Sequence, residues 1–247
     1  MEQQNQWERW DDLQLGGAGI YQDQRQFCFG VDAVLLADFA AACPGERVVD
    51  LCAGNGIIPI LLACKTRVAQ VTGVELSERN CSLFRRSVER NGLSDRVAVL
   101  WGDVKEFRSS LPGSGADLVT CNPPYMKAGS GLLNERDEVT WARHEVRCTL
   151  ADVLDAAAWA VRPGGRVCLI HRPHRMEDLL CGLRERGLEP KRFRPVYPKP
   201  GAEAAMLLVE AMRGGKSGLR LLPPLTIYEE SGCYSPEIDQ IYGRVRT

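Results

Sequence analysis

The feature that most limits the fold is an alternation. From residue 47 onward, short runs rich in Val, Ile and Leu are each followed by a segment with helical spacing. RVVDL precedes NGIIPILLACK, VTGVEL precedes SERNCSLFRRSVERNG, and RVAVLWG precedes DVKEFRSS. ADLVTC precedes a loop and then TLADVLDAAAWAV, and RVCLI precedes HRMEDLLCGLRERG. Parallel strands can be joined only by a crossover, so this pattern predicts an α/β fold with a mostly parallel sheet and helices on both faces. The Leu150–Val161 helix is the clearest, with Leu150, Val153, Leu154, Ala157, Ala158 and Val161 on one core-facing stripe. Thr149 with Asp152 reads as its capping box, and Pro163-Gly164-Gly165 as its stop. KRFRPVY and AAMLLVEAM have no helix between them, which predicts an antiparallel hairpin closing the edge of a seven-stranded sheet.

LQLGGAGIYQ reads as a small hairpin and VDAVLLADFAAAC as a helix, so residues 1–43 form a cover before the sheet. Residues 212–247, rich in Gly, Pro and Ser, are expected to wrap the surface, and 1–247 to form one domain. At 45% hydrophobic and 26% charged the chain is neither disordered nor a disulfide framework. Its 31 Lys plus Arg nearly cancel 32 Asp plus Glu, so an anionic partner must be met by a local patch. The ten cysteines contain no C-x-x-C pair, which argues against zinc and for a reducing compartment without disulfides. MEQQNQWERWDD has no apolar core, and no run approaches the ~20 apolar residues of a membrane span, so a cytoplasmic location is expected.

VVDLCAGNG places Asp50 at the carboxyl end of the first strand of the sheet, with Gly54 and Gly56 before a helix. Ligands of open α/β sheets bind outside the carboxyl ends of the strands. The dinucleotide pattern G-x-G-x-x-G fails, since Pro59 occupies the third glycine position, and a nicotinamide oxidoreductase is disfavoured. An acidic residue with two glycines suits a ligand with an amino-acid end, whose ammonium or sulfonium a carboxylate favours. Glu75, ending the second strand, can accept both hydroxyls of a ribose, and Asp103, ending the third, an exocyclic amine of adenine.

ADLVTC runs straight into Asn122-Pro123-Pro124-Tyr125. Two prolines fix φ and hold a rigid corner at the sheet's ligand edge. The amide oxygen of Asn122 and the main-chain carbonyl of Pro123 can converge on the two hydrogens of one NH2 group. An amide or aryl NH2 is a poor nucleophile because its lone pair is delocalised; two acceptors localise it, and Tyr125 offers a flat face for the planar group. The expectation is an in-line displacement in which nitrogen takes a methyl group from a sulfonium donor.

Asp50-Leu51-Cys52-Ala53-Gly54-Asn55-Gly56, Glu75, Gly102-Asp103 and Asn122-Pro123-Pro124-Tyr125, in that order, resemble the Rossmann-like class I S-adenosylmethionine-dependent amino-methyltransferases. FCFGVDAVLLA from Phe27, ARHE from Ala142, HRP from His171, KPGAEA from Lys199, GGKSGL from Gly214 and PPLTIY from Pro223 extend the resemblance to bacterial tRNA1(Val) adenine-37 N6-methyltransferases. The resemblance implies S-adenosylmethionine as cofactor, tRNA as partner, and Phe29 and Asp32 as further cofactor contacts. Cys52 departs from it, standing where many relatives have glycine, and its side chain predicts an ordinary φ.

Between Arg162 and Lys199 ten basic residues face four acidic ones, a local balance of +6. From this run Arg172, Lys191, Arg192, Arg194 and Lys199, with Arg143 and His144 from the loop after the corner, are the candidate RNA contacts. An adenine in an anticodon loop is already unpaired, so its transfer to a pocket costs only a few kcal/mol. The alternatives keep the chemistry and change the acceptor, to a protein glutamine or an adenine of DNA or ribosomal RNA; a non-catalytic RNA-binding protein stands outside the class. The glutamine reading normally brings an N-terminal helical domain, and only about thirty residues precede the first helical pattern here.

Overall fold

The computed structural model describes residues 6–26, 28–110, 113, 115–123 and 148–244. Pro124, Tyr125, Arg143 and His144 lie outside the described residues. The chain opens with an antiparallel hairpin of β1 (Glu8–Leu15) and β2 (Ala18–Asp23), followed by α1 (Val31–Phe39). The sheet then runs through β3 (Arg47–Leu51), β4 (Gln70–Glu75), β5 (Val97–Trp101), β6 (Ala116–Cys121) and β7 (Val161–His171). It finishes with β8 (Leu188–Tyr197), β9 (Met206–Arg213) and two short pieces, β10 (Arg220–Leu221) and β11 (Leu225–Thr226). The connecting helices are α2 (Ile57–Lys65), α3 (Glu78–Arg90), α4 (Phe107–Ser110), α5 (Leu150–Ala160) and α6 (Met176–Glu185); α7 (Pro236–Ile241) lies in the tail.

The strand order is β10-β8-β9-β7-β6-β3-β4-β5, with β11 also on β8. Strands β3 to β7 are parallel, whereas β9 runs antiparallel between β7 and β8. The chain leaves β3 toward β4 and β5, then returns to its other side as β6. That reversal opens a crevice between the carboxyl ends of β3 and β6.

Helix α2 buries every residue from Ile57 to Ala63 because the sheet and α1 enclose it, while the core of the other face gathers Val153, Leu154, Ala157, Leu179 and Leu183. The Thr149–Asp152 capping box forms as expected, with both reciprocal bonds present. The hairpin is fastened to α3 by charge: Arg79 meets Asp23 at 3.0 Å and also Glu8, and Arg86 meets Glu8 at 2.7 Å. Arg25, and after it Arg79, hold the Asp23 carboxyl far below the usual carboxylate range against the raising effect of burial.

Two expectations need correction. Among the described residues the sheet has nine strands rather than seven, because the tail lays β10 and β11 parallel along the outer edge of β8. Their two-residue length gives no alternation to read, and the edge's free backbone groups, such as the carbonyls accepting from Leu222 and Ile227, recruit them. Helix α5 also stops at Ala160, and Val161 already belongs to β7. Pro163-Gly164-Gly165 forms an irregularity inside that strand, where pairing with β6 slips between Ala116 and Leu118. Among the described residues, no helix is long and apolar enough to cross a membrane.

Candidate active site at the carboxyl edge of the sheet

Pairing aligns the strand ends that carry the acidic residues. Asp50 lies opposite Gly73 on one side and Thr120 on the other, and Glu75 opposite Trp101. Asp50 is fully buried; Thr120 Oγ1 donates to its Oδ1 at 2.6 Å, and its Oδ2 has no hydrogen-bond partner among the described residues. Burial pushes the carboxyl up to about 8; the Thr120 bond opposes this and the charge of Glu75 adds to it. An acid held in this state is poised to ionise when a cation arrives, so its chemistry fits a ligand ammonium or sulfonium.

Glu75 holds the glycine turn. Its Oε2 accepts the Gly54 N–H at 2.9 Å, and its Oε1 accepts the Ser77 N–H at 2.8 Å. Gly54 takes a φ of +57°, and a Cβ there would meet nothing within 4 Å, which leaves an open backbone surface for a ligand to approach. Gly56 is constrained differently: at φ +90° its Cβ would fall 1.9 Å from the ring of the fully buried Phe84. Gly56→Ala is expected to cost about 2–4 kcal/mol through backbone strain and overpacking, read as a fall in the urea midpoint.

Cys52 corrects the expectation of an ordinary φ. It adopts +57°, the left-handed region that side chains rarely enter. That conformation costs roughly 1–2 kcal/mol. The Cys121 contact, then burial, hold the Cys52 thiol well above the ordinary range, against a lowering from Cys148. All ten cysteines are free thiols. Among the described residues, no group of His, Cys, Asp or Glu has metal-ligating geometry.

Asp103 caps a 3-10 turn, Val104–Glu106, accepting from Lys105 N–H at 2.9 Å, with the Lys105 ammonium 3.9 Å from its other oxygen. Beside it Trp101 and Leu76 are exposed, and Trp101 donates its ring N–H to the Leu76 carbonyl at 3.0 Å. This apolar shelf next to Glu75 and Asp103 is the kind of surface a flat base can cover. Sequence reasoning missed it because an aromatic at a strand end reads as core.

At the end of β6, Asn122 directs its Nδ2 to Asp32 Oδ2 at 3.1 Å. Its Oδ1 is buried and has no hydrogen-bond partner among the described residues. Pro123, the next residue, is buried. Asp32 itself is buried in the first turn of α1, and Phe29 packs against the core nearby. Phe29 also donates its N–H to Gln22 at 3.0 Å. The structure therefore brings Asp32, Asp50, Gly54, Glu75, Asp103 and Asn122 to one edge of the sheet, and Thr120 joins them unforeseen.

The basic run is a different matter. Arg162, Arg166, Arg175, Arg184, Arg186, Arg192 and Arg194 are all in ion pairs, with Asp117, Glu46, Asp178, Glu189, Asp155, Glu210 and Glu237 in that order. Glu210, 7% exposed, accepts from both Arg192 and Arg166, which hold its carboxyl low against the raising effect of burial. Arg192 also donates to the Phe39 carbonyl and lies over the Phe39 ring, so its guanidinium is part of the packing. Lys191 donates to the Lys216 carbonyl at 2.6 Å, and Arg194 to that of Pro223 at 2.9 Å. Arg172 follows β7 and Lys199 follows β8, both at the carboxyl edge, with Arg172 donating to the Ala205 carbonyl at 3.1 Å. His171 is buried and pushed down to about 4, by burial first and then by the Arg175 charge, so it is a neutral packing group.

The model of the methyltransferase small domain family matches residues 29–181. A Porphyromonas gingivalis protein named tRNA1(Val) (adenine(37)-N6)-methyltransferase is 29% identical over 217 residues, 84% of each chain. A ribosomal protein uL3 glutamine methyltransferase of Bordetella pertussis is 36% identical, but over 111 residues, 44% of this chain and 35% of that protein. Among solved structures, a predicted O-methyltransferase from Agrobacterium tumefaciens superposes with a TM-score of 0.69 at 26% identity, covering 86% of this chain and 95% of that one. With the strand order, the glycine turn and the family match in agreement, the chain belongs to the methyltransferase small domain family.

Proposed function

We propose that this protein transfers a methyl group from S-adenosylmethionine to the exocyclic N6 amine of an unpaired adenine in tRNA, adenine 37 of tRNA1(Val) being the specific target. The observation that carries the reading is the buried Oδ1 of Asn122 beside Pro123, which has no hydrogen-bond partner among the described residues. A buried acceptor without a donor is rare in a folded protein, and an incoming NH2 group would satisfy it. Bound S-adenosylmethionine supplies an electrophilic methyl group on a sulfonium. Asp50 would hold its cationic amino-acid end, Glu75 its ribose, and Asp103 with Leu76 and Trp101 its base. Asn122 Oδ1 and the Pro123 carbonyl accept the two hydrogens of the adenine amine and draw its lone pair toward the methyl carbon. Pro124 and Tyr125 complete the corner in this reading. Asn122 fixes position and leaves the departing proton to solvent, since the methylated nitrogen is strongly acidic while it carries charge.

For the RNA, Arg172 and Lys199 at the carboxyl edge, with Arg143 and His144 from the loop after the corner, are the proposed phosphate contacts. The tRNA-modifying relative matches over 84% of each chain, against 44% and 35% for the glutamine methyltransferase, and this favours the adenine acceptor over the amide. The test offers donor carrying a labelled methyl group separately to total tRNA, ribosomal RNA, DNA and a release factor, followed by digestion to nucleosides or peptides. Label in 6-methyladenosine from tRNA is the expected result. Label confined to protein would overturn the RNA assignment.

A further inference from the structure

Asp32 and Asn122 are 90 residues apart in the chain, yet their side chains meet in the site. The two ends of a carboxamide are nearly equal in size, and a half-turn would point a donor NH2 at the incoming amine instead of an acceptor oxygen. A carboxylate offers acceptors only. The 3.1 Å contact is therefore made with Nδ2 toward Asp32 and Oδ1 away from it.

The holder is itself held. Asp32 is 8% exposed, and its Oδ1 accepts the Ala33 N–H at 3.0 Å in the first turn of α1. At Gly30 a Cβ would stand 2.8 Å from that same oxygen, so a larger residue there would push the carboxylate aside. An aspartate in place of Asn122 would set two carboxylates against each other at this spacing.

We propose that Asp32 is a positioning residue, which selects the amide orientation of Asn122 that presents oxygen to the acceptor nitrogen. The proposal rests on the role given to Asn122 above and departs from the donor contact that resemblance implies for Asp32. An asparagine at 32 could donate as well as accept, so the amide at 122 would lose its orientation while the shape is kept.

The test measures Asp32→Asn and Asp32→Ala, each alone and combined with Asn122→Ala. Asp32→Asn should lower kcat about 10-fold or more, with donor Kd by calorimetry and KM for tRNA each within about 3-fold of the parent. In the Asn122→Ala background neither substitution should lower kcat further, because there is no amide left to orient. Loss of donor affinity with kcat preserved at saturation would make Asp32 a donor contact and overturn the proposal, as would fully additive losses of kcat. Should Asn122→Ala abolish turnover while both Asp32 variants keep it, the proposal alone falls. Should Asn122→Ala leave kcat intact, the role of Asn122 falls with it. Donor binding reports in every variant that the site has folded.

Discussion

Asn122→Ala is expected to lower methyl transfer by about 10²–10³-fold, the loss seen when one preorganised dipole is removed from a reacting centre. Asn122 stands at the end of β6, whereas the groups assigned to the donor lie at the ends of β3, β4 and β5. Donor affinity should therefore stay within about threefold of the parent, so that the defect is one of turnover. Removal of the side chain also withdraws one hydrogen bond from Asp32, and some stability will be lost with it. Measuring kcat at saturating donor and RNA beside a calorimetric donor titration separates the two effects. Equal loss of donor binding and of kcat would show that Asn122 serves the donor and not the amine.

Asp50→Asn is expected to strengthen the fold and weaken donor binding together. The folded protein keeps a proton on Asp50 up to a pH of about 8, long after an unfolded chain has lost it. Folding then takes up a proton between pH 4 and 8, and stability falls as pH rises through that interval, by at most about 1.4 kcal/mol per unit. Asparagine keeps the shape and the acceptor for Thr120 but has no proton to lose. Its advantage in Tm should widen from pH 5 to 8 and stay level above, once Asp50 is ionised in both states. Donor affinity should drop by about 10-fold or more, since the carboxylate facing the cation is gone. In the parent, donor binding should release a proton near pH 7, visible as a dependence of the calorimetric heat on buffer ionisation enthalpy. Parallel Tm curves for the two proteins would contradict the buried acid.

Much of the site was legible because the alternation fixes where each strand stops. Once RVVDL, VTGVEL, RVAVLWG and ADLVTC are strands, Asp50, Glu75, Asp103 and Asn122 fall on one edge without further assumption. What was not legible depends on partners distant in the chain. Counting charges from Arg162 to Lys199 gives +6, but Glu46, Asp117, Asp155, Glu210 and Glu237 reach in from elsewhere and neutralise most of it. The pairing of Asp32 with Asn122 has the same character, and periodicity carries no trace of it. Cys52 failed for another reason: the turn leading into Gly54 takes a positive φ at this position although its residue carries a side chain.

The short strands of the tail have a consequence for how copies of this protein meet. An outermost strand with bare N–H and C=O groups is a template on which another chain can polymerise. Here β10 and β11 seal the flank of β8 at its middle and at its end, bracketing Pro223 and Pro224, which have no N–H to offer a newcomer. A few residues of tail thus leave less bare backbone along this flank on which another chain could extend the sheet.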